Sequence, residues 1–587
     1  MSAAPIAPYD DSVKHQVSVL IRAVNRTPGH RRLYLLAVLI VVIIVLTAIA
    51  QVRLNAWNQP FYDAIQRKDM AAFVRQLGVF FVIAGVLLVL NVAQMLFNQL
   101  IRVKLRELAT QDLLGNWMTR KRAARISRAG EIGINPDQRI QADTQTLTEL
   151  TTDLGIGLIQ SSVLLVSFIG VLWILSRGVV LPMGGRYMEI PGYMVWAALL
   201  YAGTGSAISW RVGRPMVRLG SDRYAREAEF RATVVQGADR AEGIALSNGE
   251  ADALRASQSS LETLIEILRR LAFARTRLTW VTAGYGWVAL VFPIIVAAPG
   301  YFAGRLSFGE LMMVVGAFNQ VQQSLRWFVD NTGSITDWRA ALLRVMNFRH
   351  ALLELDAVEA SAGLIERSED QEGRFILDSV RVETAHGCIS TEPARIELEP
   401  RERVLVHGKP YSGRTSFFLA LAGLWSAGSG RISAPPDKEI AYLTQRPFLP
   451  SGSLRAALTS NGDGQGDDAL RAALKLVELD ALAENLDATS RWDRDLGIGE
   501  QERLAYARLL LARPKWLICD EGLDPVDESN RRILLSILEN ELQDSSMINI
   551  SQRREPTDFY SRTVELVVSP PETARPKPDR QRNRKRR

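Results

Sequence analysis

A short segment in the second half of the chain has the outline of a phosphate-binding loop. Residues Gly408 to Thr415 read GKPYSGRT, which fits the pattern G-x-x-x-x-G-K-[ST] except that an arginine replaces the lysine. The loop follows an apolar, strand-like stretch and precedes a helical one, and backbone N–H groups at such a helix start hold phosphate oxygens. The predicted nucleotide-binding residues in this segment and directly after it are Gly408, Ser412, Gly413, Arg414, Thr415 and Ser416.

Two residues of this loop depart from the expected pattern. Arg414 keeps the positive charge of the lysine, but its guanidinium is a broad planar fork rather than a compact point charge. Tyr411 stands where a glycine is expected. Because phosphoryl transfer depends on the placement of charge around the phosphate, we expect nucleotide binding to survive and hydrolysis to be weakened.

Two adjacent carboxylates further along the chain supply complementary chemistry. The stretch WLICDEG is an apolar strand that ends in Asp520 and Glu521. In this arrangement the first carboxylate holds Mg²⁺ and the second polarises the attacking water. We therefore predict that Thr415 and Asp520 hold magnesium and that Glu521 is the catalytic residue.

The order of these elements resembles that of the ATP-binding cassette. Gln445, which ends the strand EIAYLTQ, matches the Q-loop glutamine, and the resemblance makes it a third magnesium ligand. Asp527 matches the D-loop aspartate. The stretch LGIGE resembles the signature segment, which acts on the nucleotide held by a partner cassette; its predicted contacts are Leu496, Gly497, Gly499 and Glu500.

A narrower resemblance extends over nearly the whole chain beyond residue 30. The cassette segments LAGLW, QRPFLPSGSLR and GEQERLAYARLLLARPKW look like those of the SbmA/BacA-like half-transporters and of their relatives, the peroxisomal fatty-acyl transporters. In the first half, NPDQRI, REAEFR, GEADALR and FVDNTGSITDWRA are similar to loops and to a membrane segment of that family. The implied fold is multi-domain: an α-helical, six-span transmembrane domain of the ABC-exporter type, followed by an α/β P-loop cassette.

The sequence also departs from the family at positions that matter for hydrolysis. Gly497 replaces the signature serine, and Arg554 aligns with the switch histidine. None of the five histidines lies after the phosphate loop. The adenine would have only Phe375, or less plausibly His386, for stacking. These departures predict slow or absent hydrolysis if both halves of the transporter are this chain; the alternative is an ordinary ATPase in which the substitutions are harmless.

The first half of the chain carries the apolar segments. A chain that is 47% hydrophobic and 23% charged segregates lipid-facing spans from charged surface. Lysine and arginine collect after the second and fourth spans, which favours both termini in the cytoplasm. The six predicted spans are Leu33–Ala50, Gly78–Leu96, Leu154–Leu175, Gly192–Trp210, Trp280–Phe302 and Leu311–Phe328.

The sixth predicted span contains several amide side chains. Polar groups at membrane depth must face protein or a water-filled cavity. Asn319, Gln320 and Gln323 are therefore candidates for a translocation path. Hydrogen bonding between helices is an equally good explanation.

Composition restricts the remaining possibilities. Two cysteines, Cys388 and Cys519, do not make a disulfide framework or a cysteine metal site. The first thirty residues lack the short apolar core of a removable signal peptide. The segment Arg575 to Arg587 carries eight basic residues and one acidic residue. Its composition predicts disorder near an anionic membrane surface rather than nucleic-acid binding.

These observations predict a multi-pass protein of the cytoplasmic (inner) membrane, with both termini and the cassette in the cytoplasm. It would use ATP and Mg²⁺, contact membrane lipid, and form a homodimer or a heterodimer with another half-transporter. The resemblance implies transport of a peptide, a cobalamin-like molecule or another large polar compound; the peroxisomal relatives extend this, less strongly, to lipid-like acyl substrates. The alternatives are a degenerate cassette that serves a gradient-driven transporter or a competent partner, and a membrane sensor or scaffold. The predicted domains are residues 1–30 (N-terminal segment), 31–345 (membrane domain), 346–370 (linker), 371–570 (cassette) and 571–587 (basic tail).

Overall fold

A computed structural model describes residues 12–119, 121–126, 135–177, 180–183, 186–358, 364–384, 387–409, 412–444, 447–459, 465–522, 528–552 and 559–570. The chain forms two compact units. A helical unit comprises mainly residues 8–115 and 135–349, and a unit that contains the cassette comprises mainly residues 116–134 and 350–587.

Long helices build the first half of the chain, with one short hairpin between them. The helices are α1 (Val13–Arg26), α2 (His30–Gln66), α3 (Met70–Trp117), α4 (Arg122–Ile126), α5 (Pro136–Gln138), α6 (Thr144–Leu175), α7 (Tyr193–Asp239), α8 (Ala241–Leu246), α9 (Glu250–Phe302), α10 (Phe308–Asp330) and α11 (Thr332–Val358). The antiparallel hairpin consists of β1 (Val180–Met183) and β2 (Arg186–Glu189).

The predicted helical membrane-type domain is confirmed, but the count of six spans is not. Four helical segments among the described residues are long and apolar enough to cross a bilayer: His30–Gln66, Met70–Trp117, Pro136–Leu175 and Glu250–Phe302. Helices α7 and α10 carry the fourth and sixth predicted spans and do not reach that hydropathy. The six-span topology therefore stays a prediction.

Helix α10 is fixed against α2 at the end where α10 begins. Asp63 of α2 accepts hydrogen bonds from the hydroxyl of Ser307 (3.0 Å) and from the backbone N–H of Gly309 (2.8 Å). The backbones approach so closely that a Cβ on Gly309 would lie 2.1 Å from the carbonyl oxygen of Gln59. These contacts set the register in which the polar residues of α10 face their neighbours.

The cassette is built on one ten-stranded sheet with helices on its faces. Its strands are β3 (Glu366–Glu369), β4 (Phe375–Thr384), β5 (Gly387–Glu392), β6 (Arg395–Leu398), β7 (Arg403–His407), β8 (Gly428–Ala434), β9 (Ile440–Thr444), β12 (Trp516–Asp520), β13 (Ser546–Ser551) and β14 (Arg562–Ser569). A small separate pair is formed by β10 (Gly452–Ser453) and β11 (Thr489–Ser490). The helices are α12 (Arg414–Leu421), α13 (Leu454–Leu458), α14 (Asp467–Leu476), α15 (Asp480–Ala483), α16 (Trp492–Asp495), α17 (Ile498–Ala512) and α18 (Glu528–Asn540).

The sheet order brings the ends of the functional strands together. Strands run in the order β3-β8-β4-β5-β14-β7-β13-β12-β9, with β6 paired to β4. The block β14-β7-β13-β12-β9 is parallel. Because the carboxyl ends of parallel strands meet at one sheet edge, the loop after β7 and the carboxylates after β12 lie at the same edge.

Strand β12 shows why this sheet is buried on both sides. All five of its residues are buried, and successive side chains point to opposite faces. Leu517 and Cys519 join one apolar layer with α14, α17 and α18, whereas Trp516 and Ile518 join the layer beneath α12. The predicted α/β class of this domain is confirmed.

Candidate functional site

The phosphate loop lies between β7 and α12, as its sequence predicts. Gly413 has φ +75°, a left-handed value that favours glycine, and a Cβ there would lie 2.2 Å from Cδ1 of Ile389. A Cβ on Gly408 would lie 2.4 Å from Oγ of Ser412. Both glycines are therefore required for the path of the chain, whereas Tyr411 lies outside the described residues.

Arg414, at the first position of α12, is turned back onto its own loop. Its Nη1 donates to the carbonyl oxygens of Gly408 (2.7 Å) and Lys409 (3.3 Å). Its Nη2 donates to Oε1 of Glu521 at 2.5 Å. The two side chains are only 13% and 15% exposed, so water screens this ion pair poorly. The cation of the loop and the predicted catalytic carboxylate thus neutralise each other.

Thr415 and Asp520 are adjacent, as a magnesium site requires. Burial raises the pKa of Asp520 above its usual range, the hydroxyl of Thr415 and the charge of Arg414 lower it, and the nearby charge of Glu521 raises it. Oδ1 of Asp520 is buried without a hydrogen-bond partner in the described part of the chain, and so is Oγ of Ser412. A buried, unpaired carboxylate oxygen beside a hydroxyl is the kind of oxygen donor set that Mg²⁺ takes. Ser416 follows Thr415 in the first turn of α12.

Glu521 occupies a turn with unusual backbone geometry. Its φ is +55°, a left-handed conformation that residues other than glycine adopt rarely. Its N–H donates to the carbonyl oxygen of Ile550 on the neighbouring strand (2.9 Å), which holds the turn in place. The carboxylate therefore leaves the sheet at a fixed point, next to Arg414.

The predicted signature residues surround the start of α17. The backbone N–H of Gly497 donates to Oε2 of Glu500 (2.8 Å), which caps this helix start. Leu496 precedes the cap, and Gly499 lies in the first turn. A Cβ on Gly499 would lie 2.8 Å from Nδ2 of Asn530, so this glycine allows a close approach by α18.

Asn530 holds the start of α17 through hydrogen bonds, and the sequence alone did not reveal it. Its side chain is fully buried and donates to the carbonyl oxygen of Gly499 (3.1 Å) and to Glu502 (3.2 Å). It also accepts from Nε of Arg503 (2.8 Å). The sequence signal that could have found it is its position: Asn530 is a polar residue in the helix that begins directly after Asp527.

The expectation for adenine stacking on Phe375 is wrong. Phe375 is fully buried, and its ring packs against Trp516 with centroids 5.6 Å apart, so no base can reach it. The other residues predicted around the nucleotide, His386, Gln445, Asp527 and Arg554, lie outside the described residues.

The amides of the sixth predicted span lie on α10. Asn319 and Gln320 are half-buried and Gln323 is exposed, and none of their side chains has a hydrogen-bond partner among the described residues. One turn earlier, a Cβ on Gly316 would lie 2.3 Å from Oδ1 of Asn55 on α2. The alternative explanation was that these amides form hydrogen bonds between helices. None of the three side chains makes such a bond among the described residues.

Comparison with known proteins identifies the family of the chain and, separately, that of its cassette. The model of the SbmA/BacA-like family matches residues 31–353, more than half of the chain. The chain belongs to the SbmA/BacA-like family. A second family model, the ABC transporter, matches residues 391–524 and so covers the phosphate loop, the signature helix and β12.

Curated relatives carry the same pairing of domains over similar lengths. The inner membrane ABC transporter ATP-binding protein YddA of Escherichia coli K12 is 28% identical over 88% of this chain and 91% of its own. An ABC transporter ATP-binding protein of Synechocystis is 27% identical over 86% of this chain and 76% of its own. The chloroplastic ABC transporter D family member 2 of Arabidopsis thaliana is 25% identical over 88% of this chain and 81% of its own. This SbmA/BacA-like chain is thus an ABC-type transporter with fused transmembrane and ATP-binding domains.

Proposed function

We propose that this SbmA/BacA-like chain is one half of a dimeric transporter in the cytoplasmic membrane, which binds ATP with Mg²⁺ and hydrolyses it slowly. Its cargo would be a peptide, a cobalamin-like molecule or another large polar compound. The second half would be another copy or a different half-transporter, because a cassette site needs a phosphate loop from one domain and a signature from the other. Both termini and the cassette would lie in the cytoplasm, and the domain limits would be those drawn from the sequence.

The ion pair between Arg414 and Glu521 is the observation that carries the proposal of slow hydrolysis. Arg414 donates hydrogen bonds to two loop carbonyls and one carboxylate. A nucleotide phosphate must compete with Glu521 for this cation, and Glu521 must leave the cation before it can act on water. Both events cost free energy, since the pair is largely shielded from solvent.

A second departure from the family pattern, Gly497, lies in the signature segment, which would act on the nucleotide of a partner cassette. Gly497 offers no hydroxyl to the nucleotide of a partner cassette, and α17 begins at the next residue. Loss of one preorganised donor in a phosphoryl-transfer site costs roughly a hundredfold in rate. Together with Arg414, this departure supports turnover well below that of an intact cassette.

The magnesium site would be held by Thr415 and Asp520, with Gln445 as the third ligand from the family pattern. When bound, Mg²⁺ would neutralise charge on the phosphates. The contribution of the protein is the buried carboxylate, the adjacent hydroxyl and the backbone N–H groups at the start of α12.

A translocation path along α10 is part of the same proposal. Asn319, Gln320 and Gln323 have no partners among the described residues, and an unpaired amide at membrane depth is costly unless it meets water or a polar ligand. The apolar helices of this unit support a membrane location.

The test measures nucleotide binding and phosphate release together, on the purified full chain in lipid nanodiscs. We expect tight ATP binding with slow phosphate release, which Glu521→Gln abolishes and Arg414→Ala reduces together with binding. Release as fast as that of an intact ABC ATPase would contradict the proposal, and so would a failure to bind ATP.

A second candidate function is favoured by the same ion pair. If Glu521 never leaves Arg414, the cassette holds nucleotide without hydrolysing it. Transport would then depend on an ion gradient or on a competent partner, or the chain would act as a membrane sensor. Tight ATP binding with no phosphate release in the wild type would favour this candidate, and co-purification of a second half-transporter would identify the heterodimer.

A further inference from the structure

A polar cleft opens between α7, α9 and α10 in the helical unit. Its polar lining consists of Ser206, Ser209, Thr282, Tyr285, Gln322 and Arg326. These residues differ from the amides proposed for the translocation path. Arg326 lies 18 residues after the start of α10, about 27 Å along the helix axis. The cleft is therefore near the far end of α10, away from the contacts that Ser307 makes with α2.

Only part of the Arg326 guanidinium is used in hydrogen bonds among the described residues. Its Nε donates to Oδ1 of Asp330, one turn later, at 3.2 Å. Its two terminal nitrogens have no hydrogen-bond acceptor among the described residues. A guanidinium presents five donors in a fixed fork that matches an oxyanion, so the edge of Arg326 that faces the cleft is available to a ligand.

Hydroxyl groups stand opposite this cation. Ser209 is 9% exposed, and the hydroxyls of Ser206 and Ser209, one turn apart on α7, accept or donate no side-chain hydrogen bond in the described part of the chain. The amide of Gln322, one turn before Arg326, is equally unengaged. Hydroxyl and amide donors around a guanidinium suit an anionic oxygen ligand.

The wall of the cleft is closely packed. A Cβ on Gly205 would lie 2.4 Å from the ring of Tyr285, so the glycine lets this ring lie flat on α7. The rings of Tyr201 and Tyr285 are 4.3 Å apart, and the hydroxyls of Thr204 and Tyr285 are hydrogen-bonded at 2.6 Å. The pocket beside Arg326 therefore has a defined shape.

The surrounding charge also favours an anion. Residues 193–221 of α7 and 267–302 of α9 contain no aspartate or glutamate, whereas both stretches contain arginines. Among residues 311–330 of α10, Asp330 is the only acid, and it is already paired with Arg326. The local potential is positive, which attracts an oxyanion and repels a cation.

We propose that this cleft binds an oxyanion, a carboxylate or a phosphate, carried either by the cargo or by a phospholipid headgroup. The cargo source rests on the proposed transport function, whereas the binding chemistry does not. Recognition would combine the two free nitrogens of Arg326 with the hydroxyls of Ser206 and Ser209. A purely structural Arg326, paired with Asp330 and otherwise solvated, is the competing explanation.

The test is protection of Arg326 from the arginine reagent phenylglyoxal. The full chain is held in nanodiscs of phosphatidylcholine, and adducts are quantified by mass spectrometry in chloride, acetate or inorganic phosphate at equal ionic strength. We expect acetate or phosphate to slow modification of Arg326 at least threefold. Arg270, which is exposed and also paired with an acid one turn away on its own helix, Glu266, is the internal control and should not respond.

Further arms separate the two sources and test the cleft itself. Protection by an acetylated peptide with a free carboxylate, but not by its amide, identifies the cargo source; protection by phosphatidylglycerol in the nanodisc identifies the headgroup. Ser206→Ala with Ser209→Ala should abolish the protection. Equal rates for Arg326 under all conditions, or protection unchanged in the serine variant, would overturn the proposal. Because the readout uses neither nucleotide nor transport, its failure is separate from failure of the proposed function.

Discussion

Two arginines lie at the two sites proposed above, and they are used in opposite ways. Arg414 in the cassette is 13% exposed and engages two carbonyls and a carboxylate. Arg326 in the helical unit is 41% exposed and engages a single carboxylate through one nitrogen. The same side chain is therefore closed to ligands in one site and open in the other, and the difference lies in the number of acceptors that the fold supplies.

The largest effect should come from freeing Arg414 from its ion pair with Glu521. Glu521→Gln removes the charge that competes for Arg414, so we expect ADP affinity without magnesium to rise about tenfold, the effect of roughly 1.4 kcal/mol. Phosphate release should fall a hundredfold or more, because the carboxylate that polarises water is lost. ADP is the probe because its affinity does not depend on turnover, and calorimetry measures it.

Coupling between the two residues provides the control for this prediction. In Arg414→Ala, the additional change Glu521→Gln should leave ADP affinity unaltered, since no cation remains to be released. Equal gains with and without Arg414 would show that the pair does not compete with the nucleotide.

Each of the two sites contains a glycine against which a neighbouring side chain packs. In Gly413→Ala the new methyl meets Ile389 and the residue must hold φ +75°, so local stability should fall by about 2 kcal/mol or more. In Gly205→Ala only the overlap with Tyr285 arises, and the cost should be about 1 kcal/mol. Hydrogen exchange of peptides from α12 and α7 measures each region separately. A larger loss at α7 would contradict this ranking.

The sequence predicted the loop, the carboxylates and the cassette class because they follow local rules. The pattern from Gly408 to Thr415 consists of eight consecutive residues, and strand β12 is a continuous apolar run. The Arg414–Glu521 pair joins residues 107 positions apart, and side-chain direction decides it. The cleft around Arg326 combines three helices, so no spacing in the sequence indicates it. Phe375 was misjudged because Trp516, which buries it, belongs to a distant strand.

Restoring a lysine should loosen the closed site by a smaller amount. In Arg414→Lys the compact ammonium cannot bridge the loop carbonyls and Glu521 as a planar fork does. We therefore expect phosphate release to rise about tenfold while ATP affinity changes little. Arg403→Lys, a change of the same type on β7 away from the loop, is the matched control. If Arg414→Lys does not raise the rate, the missing signature hydroxyl at Gly497 limits turnover instead.

The smallest effect should come from a change beside Arg326, the arginine that is open to ligands. It tests whether Arg326 differs from Arg414 in the way proposed. Asp330 occupies one edge of Arg326, and both side chains are well exposed, so their pair stabilises the fold by only about 0.5 kcal/mol. In Asp330→Asn the released nitrogen becomes available, and protection of Arg326 by phosphate should strengthen roughly twofold. A tenfold gain would mean that Asp330 closes Arg326 much as Glu521 closes Arg414. The contrast between the two sites would then be one of degree, set by exposure rather than by the number of acceptors.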